Sequence, residues 1–301
     1  MLTRPFLLHA LSPLHAGTGQ AAGIVDLPIA RMKATGIPFV PGSSIKGVLR
    51  DARMSVIRDA GRENGAESDR LKAVFGPETD KAGEHAGALV VGDARLLALP
   101  VRSFRGTFAY VTSPLLLELA RRDLGEAGRG PKLPRLSAGR AAGFADPNCA
   151  CVHGGKVYLE DLDLPAQRSE ELAGWAKLLA PLASPGEDLF TKRLLAVDDD
   201  TMSFLMETAT QLDARVRLDP NTRTVAEGAL WLEESLPAES LLVGLLAADR
   251  SRRNGHSMSP EEVLGFALAG EQVLQFGGKA TVGRGRCRIV PVPPAAPGGG
   301  R

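Results

Sequence analysis

Between Leu27 and Arg50 the chain carries Arg31, Lys33, Lys46 and Arg50 but no acid. The window opens behind Asp26, the first acid of the chain, and closes at Asp51, the second. Its first half, up to Pro41, is punctuated by glycine and proline and reads as a long loop. Its second half, SSIKGVLRDARMSVIRDA, sets Ile45, Val48, Leu49, Ala52 and Val56 on one helical face, with Ser44 as the candidate N-cap. Any fold of this chain must place one carboxylate at the mouth of a basic, irregular segment that runs into a helix.

Around that segment, strand and helix patterns alternate. Phe6 to Ser12 reads as a first strand, GALVVGDARLLAL and FRGTFAYVTSP as later ones, and KVYLEDLDL as another. Gly61 to Gly87 is polar and glycine-rich and reads as a surface excursion; Arg121 to Asn148, rich in Arg, Gly and Pro, reads as a mobile insertion. SEELAGWAKLLAPL predicts a helix capped by Ser169, with Glu170 and Glu171 at its positive end and Pro181 stopping it. RLLAVDDDTMSFLMETATQ mixes a strand with an acidic turn. ARVRLDPNTRTV predicts a hairpin, because alternating residues flank Asp219, Pro220 and Asn221, all turn formers. GALWLEESLP and SLLVGLLAAD read as strands. In SPEEVLGFALAG, Ser259 caps, Pro260 takes the first turn, Glu262 closes a capping box and Gly270 ends the helix. A glycine-rich turn then enters a last strand, and Pro291 to Arg301 reads as a disordered tail. Interleaved elements of both kinds predict an α+β class in one elaborated domain over residues 1–290.

The 301 residues include 36 basic and 35 acidic ones. A formal charge of +1 excludes nucleic-acid binding through bulk charge and leaves a local basic groove possible. The three cysteines, Cys149, Cys151 and Cys287, form no disulfide framework and suit a reducing compartment. With no leader pattern and no apolar run of membrane-spanning length, the chain reads as cytoplasmic.

Three stretches carry chemistry. In PGSSIKG, a helix N-terminus with Ser43, Ser44 and Lys46 offers N–H groups, hydroxyls and a charge to phosphate, with Arg50 one turn on; on these residues alone an ordinary cap beside a solvated lysine is the commoner arrangement. In GGKATVGRGRCR, Gly277, Gly278, Gly283 and Gly285 allow close backbone approach, and Lys279, Arg284 and Arg286 supply charge, with no acid after Glu271. That stretch is not a P-loop, and a hairpin with a solvated basic face also fits it. Two acid-free basic segments suggest one shared groove for a polyanion. Asp26, flanked by Ile24, Val25, Leu27 and Pro28, wants a backbone N–H, an arginine or a metal; a turn-capping role also fits. Beside a phosphate groove it could recruit Mg²⁺ or another divalent ion. His15 is a candidate general acid or base. Cys149-x-Cys151-x-His153 lacks a fourth zinc ligand, Asp198 to Asp200 fit a solvated turn, and the aromatic pattern of a conventional RNA-recognition motif is absent.

Taken together, LHAGTG, GIVDLPIARMKATGIPFVPGSSIKGVLR, FRGTFAYVTSP, VYLEDLDL, the run from Val197 to Ser240 and GGKATVGRGR resemble the RAMP-superfamily backbone subunits of type III-B (Cmr) CRISPR–Cas effectors. The resemblance implies a ferredoxin-like palm, a modified RNA-recognition motif with inserted helical and loop regions. It also implies a β-hairpin thumb at about residues 213–235 and filaments of copies along a guide RNA. It implies divalent-metal-dependent cleavage of target RNA at regular intervals, with further effector subunits as partners and no membrane. By resemblance, Asp26 is the catalytic and metal-binding aspartate, Ser43, Ser44 and Lys46 start the guide-binding helix, and Leu232 or Ser235 stands where an auxiliary tyrosine is common, with Glu233 and Glu234 as the remaining candidates for an assisting role. A non-catalytic scaffold of the same fold, or the equivalent subunit of a type III-A complex, stays open at this point.

Overall fold

A computed structural model describes residues 1–18, 25–62, 65–78, 83, 85–124, 131–136, 141–183, 187–219, 221–253 and 255–293. In chain order the elements are β1 (Leu2–Ala10), β2 (Phe39–Val40), α1 (Gly42–Asp59), α2 (Ala66–Phe75), β3 (Leu89–Val91), β4 (Ala94–Arg102), β5 (Phe108–Thr112) and α3 (Pro114–Leu124). Then come β6 (Ala142–Phe144), β7 (Val152–His153), β8 (Lys156–Leu159), β9 (Leu162–Arg168), α4 (Glu170–Ala183), α5 (Glu187–Thr191), β10 (Leu194–Ala196) and α6 (Asp199–Thr208). The last are β11 (Gln211–Leu218), β12 (Val225–Ser235), β13 (Leu241–Ala248), α7 (Pro260–Ala267), β14 (Gln272–Gln275) and β15 (Arg286–Pro291). The class is mixed α+β.

One large sheet runs β14-β15-β1-β13-β4-β5-β10-β6-β9-β8-β7, with β2 on β4 and β3 on β13. At its centre run β15, β1, β13 and β4, each antiparallel to its neighbour. They are connected as β1–α1–β4–β13–α7–β15, two strand–helix–strand units folded into one another. The outer half of the sheet and the separate β11–β12 ribbon are inserted between β4 and β13.

Both faces of the central strands are buried, which explains their unbroken apolar runs. Along β1, Phe6 and Leu8 enter one core and Leu7 the other; along β13, Leu242 and Leu246 oppose Leu241 and Val243. The first core is closed by Ile45 and Leu49 of α1 and Val263 and Leu264 of α7. The second is closed by Leu117 of α3 and by Leu172, Trp175 and Leu179 of α4. Trp175 is fully buried, and its indole N–H finds the Lys132 carbonyl at 3.0 Å, so the large ring leaves no polar atom unpaired.

Several expectations hold locally. α7 has the full capping box: Ser259 Oγ accepts from Glu262 N–H, and Glu262 Oε2 accepts from Ser259 N–H at 2.7 Å. The hairpin around Asp219 is the β11–β12 ribbon, with Asp219 Oδ1 accepting from Asn221 and Thr222 N–H groups; Pro220 lies outside the described residues.

Others are corrected. Ser44 does not cap α1: the helix begins two residues earlier, behind Pro41, and Asp93 reaches across from the β3–β4 turn to accept from Gly42 N–H at 2.8 Å. Gly61 to Gly87 is no mere excursion, since it contains α2, whose Leu71, Val74 and Phe75 join the core. The stretch from Arg121 to Asn148 holds the end of α3 and β6; its residues 125–130 and 137–140 lie outside the described ones. KVYLEDLDL is a tight hairpin, β8–β9, not one strand. Pro181 lies inside α4, in its final turn. The acidic run after Val197 starts helix α6, with Asp198 as its N-cap. Of the expected disordered tail, 294–301 lie outside the described residues, while Pro291 ends β15.

Because α7 packs on β1, β3 and β13, its cap bears on the whole sheet. Ser259→Ala removes the hydroxyl half of the box, leaving the backbone N–H of residue 259 on Glu262, and should cost about 1 kcal/mol, read as a lower midpoint in urea denaturation with an unchanged slope.

Candidate active site

The site collects at the end of the sheet where β1 stops and β13 and β15 start. β12 passes this end and pairs with the Asp26 segment: Leu27 N–H donates to the Leu232 carbonyl (3.1 Å) and Glu234 N–H to the Leu27 carbonyl (3.0 Å). Asp26 is exposed, and its Oδ2 accepts from Leu232 N–H at 2.8 Å. One carboxylate oxygen is thus fixed to the β12 backbone, which sets the direction of the other.

Adjacent residues of a strand point to opposite sides, and the two acids after Leu232 divide accordingly. Glu234 is 5% exposed. Its Oε1 lies 2.6 Å from Arg31, its Oε2 accepts from Ile29 N–H at 3.0 Å, and Arg31 also donates to the Met206 carbonyl at 2.9 Å. Glu233, equally buried, takes Lys279 Nζ at 2.7 Å and the Trp231 indole N–H at 2.8 Å, with Arg215 at 3.5 Å. Burial pushes the Glu233 carboxyl up, but the hydrogen bonds from Lys279 and Trp231 and the charges of Lys279 and Arg215 outweigh it and hold it below the ordinary carboxylate value. It therefore stands ionised near neutrality, and a donated proton is not what it offers.

His15 is buried, and its Nδ1–H donates to the Glu234 carbonyl at 2.7 Å. The glycine-rich loop is fastened to the same segment. Gly278 N–H donates to the His15 carbonyl (2.9 Å) and Gly285 N–H to the Pro13 carbonyl (2.8 Å). Gly277 and Gly285 both have positive φ, and a β-carbon on either would run into backbone, the His15 carbonyl oxygen at 2.3 Å or that of Phe276 at 1.9 Å. Lys279 also sits in the left-handed region, so its ammonium is aimed by a rigid loop. Arg284 pairs with Asp213 of β11, and Arg286 is exposed.

Asp26, His15, Glu233, Gly277, Gly278, Lys279, Arg284 and Arg286 are thus gathered at one place. Ser43, Ser44, Lys46 and Arg50 belong to a different element. Ser43 is exposed, and Lys46 is half-buried, with burial first and Arg50 second lowering its pKa. Arg50 donates to the Pro77 carbonyl. The acid-free segment links the two groups through backbone bonds, Ala30 N–H to Ala16 and Phe39 N–H to Ala30. Sequence reasoning missed Asp213, Arg215 and Trp231, which meet the loop only through the ribbon's register, and the pairing of Glu234 with Arg31. Two adjacent acids on an alternating strand were the available signal.

A resident metal cage is not present: among the described residues no three histidine, cysteine, aspartate or glutamate side chains converge. Cys149 and Cys151 are buried free thiols. A divalent ion fits at Asp26 only as one shared with RNA, since Mg²⁺ is commonly held by one or two carboxylates with substrate phosphates and water. Among the described residues no helix is long and apolar enough to cross a membrane.

Residues 7–288 match the RAMP superfamily, and the chain belongs to that family. Within it, the chain is 34% identical over 288 residues to the CRISPR system Cmr endoribonuclease Cmr4 of Pyrococcus furiosus, covering 94% of this chain and 93% of that one. It is 35% identical over 101 residues to the Cms endoribonuclease Csm3 of Streptococcus thermophilus, 30% of this chain and 46% of that one. The crystal structure of oligomeric Cmr4 from Pyrococcus furiosus superposes with a TM-score of 0.72 at 25% identity, over 98% of this chain and all of the other.

The buried Glu234 yields a stability prediction. Glu234→Ala strips an acceptor from Arg31 and from Ile29 N–H and should destabilise by about 1.5–3 kcal/mol in chemical denaturation. A loss under half a kcal/mol would show that Arg31 and Ile29 find other partners.

Proposed function

We propose that the chain is the guide-RNA-binding backbone subunit of a type III-B CRISPR effector and that it cleaves complementary target RNA as an endoribonuclease. Near-full-length similarity to Cmr4, against a 101-residue match to Csm3, favours the type III-B assignment. The observation that carries the catalytic reading is Asp26: an exposed carboxylate with one oxygen pinned to β12, at the root of the β11–β12 ribbon.

In this reading the β1–α1–β4–β13–α7–β15 core is a ferredoxin-like palm and the ribbon is the thumb. A conventional RNA-recognition motif stacks bases on its open sheet face. Here helices cover both faces, so RNA runs over the loops at the strand ends, gripped by the loop of Lys279, Arg284 and Arg286 and by the start of α1 with Ser43, Ser44, Lys46 and Arg50. The partners are guide RNA, target RNA, further copies of the chain and other effector subunits, in the cytoplasm. Base pairing with the guide chooses the sequence while protein contacts backbone, a division known for a DNA-targeting guided effector.

For cleavage, the target's 2′-oxygen attacks the adjacent phosphorus, the bond to the 5′-oxygen breaks, and a 2′,3′-cyclic phosphate and a 5′-hydroxyl result. Asp26 accepts the 2′-hydroxyl proton or holds a divalent ion. That ion, when bound, would offset charge developing on the phosphate. The leaving 5′-oxygen is protonated from solvent. His15, buried beneath Glu234, positions the β12 backbone that fixes Asp26, and Glu233 anchors Lys279. A nucleotide splayed by the thumb supplies the in-line geometry.

Asp26→Asn keeps an acceptor for Leu232 N–H but removes the charge. In an assembled complex with Mg²⁺ it should abolish target cleavage with guide and target binding nearly unchanged; cleavage at the wild-type rate would refute the assignment.

The tip of the ribbon, unlike its buried root at Glu233 and Glu234, should leave monomer folding untouched, because β11 and β12 pair only with each other among the named strands. Replacing Asp219 to Arg223 by a short Gly/Ser turn should keep the thermal midpoint but blur or remove the regular spacing of products on a sequencing gel. An unfolded variant, or unchanged spacing, contradicts the thumb role.

A further inference from the structure

Asp213 and Glu233 face each other across the ribbon, as register partners on β11 and β12. Like charges directly opposite on paired strands are destabilising, yet here both acids stand at the thumb root. Each is met by one cation of the same glycine-rich loop: Arg284 on Asp213 and Lys279 on Glu233. The loop cannot easily follow the ribbon, since Gly278, Gly285 and Phe276 N–H groups tie it to His15, Pro13 and to itself.

The Arg284 pairing is incomplete. The side chain is 11% exposed, and Asp213 takes only its Nη2; Nη1 is buried and has no hydrogen-bond partner. Asp213 is in turn shared with Gln211, whose Nε2 lies 3.2 and 3.1 Å from its two oxygens. A buried guanidinium donor left unpaired is costly. A phosphate has more acceptor oxygens than this shared carboxylate, and arginine suits bidentate phosphate contact.

We propose that Asp213 and Glu233 hold the places of RNA backbone phosphates in the RNA-free protein, and that RNA binds by displacing them from Arg284 and Lys279. The inference rests on the reading of this loop as part of the RNA surface. It adds that the loop's cations are occupied before RNA arrives and that loading releases the thumb root. Arg284 exchanges a one-donor contact for a two-donor contact, and the pair of facing acids, with Asp213 freed of Arg284 and Glu233 left with the charge of Arg215 alone, favours loosening of the thumb root between β11 and β12.

The test is RNA binding by the full chain, measured by anisotropy of a fluorescein-labelled single-stranded RNA of mixed sequence at several salt concentrations. Asp213→Asn keeps the shape and removes the competing charge; it should bind at least about three-fold tighter than wild type, the size expected for freeing one ion-paired cation. The tightening should vanish in an Arg284→Ala background. Asp213→Ser serves as a second variant, and thermal melting confirms that each is folded. Unchanged or weaker binding by folded Asp213→Asn and Asp213→Ser overturns the proposal. So does tightening that persists without Arg284, because a bulk charge effect would then explain it. Failure of the underlying reading looks different: Lys279→Ala and Arg284→Ala would bind RNA as wild type does.

Discussion

Glu234 ties four backbone segments together. Its carbonyl receives His15, its N–H reaches Leu27, and its carboxylate takes Ile29 N–H and Arg31. Arg31 then reaches the Met206 carbonyl at the end of α6. Leu14 and Leu236 pair just beyond, closing the end of β1 onto the end of β12. A buried carboxylate is tolerable only when paired and hydrogen-bonded, so this residue enforces the convergence instead of merely permitting it. Remove the carboxylate, and Ile29, Arg31 and, through Arg31, the end of α6 lose their common partner, leaving only backbone bonds to hold β12 against His15 and Leu27. The candidate site is therefore held by a structural acid close to the one proposed to act on RNA.

This placement also accounts for how a nearly neutral chain can present a basic surface. Three of the cations that the acid-free segments contribute are already paired. Arg31 is bound to Glu234, Lys279 to Glu233 and Arg284 to Asp213, and the first N–H of α1 is given to Asp93. Each of these acids comes from a distant part of the sequence. Segment composition revealed where the positive charge is, but the neutralising partners arrive only through topology.

That distinction marks what was legible beforehand. Short-range signals read well: the Ser259 capping box, the turn at Asp219 and the unbroken apolar runs of β1 and β13 are fixed by neighbours within a few residues. So was Asp26 as an isolated carboxylate. Ser44 misled because the true cap is Asp93, on a turn about fifty residues away. The α2 helix was hidden by polar, glycine-rich flanks, although Leu71, Val74 and Phe75 are spaced for one buried face. The α+β class followed from alternation alone, whereas the order of thirteen strands depends on insertions whose pairing no local pattern records.

The shared use of β12 has a mechanical consequence. A two-stranded ribbon is marginal on its own, and this one exposes Leu212, Val216, Leu218, Val225 and Leu230. Its order must come from its root and from whatever covers those side chains. At the root, Leu232 N–H fixes Asp26, Glu233 meets the glycine-rich loop, and Glu234 anchors the palm, three successive residues with three separate duties. The carboxylate proposed to act on RNA is therefore hydrogen-bonded to the same strand that carries the ribbon proposed to part it, at a separation fixed by backbone geometry. A wedge and a cutting group so joined keep a constant distance whatever bases lie between them. In the proposed reading, the position of each cut relative to its wedge then follows from this backbone geometry, the interval between cuts follows from the repeat of copies along the guide, and neither needs reading of sequence by the protein.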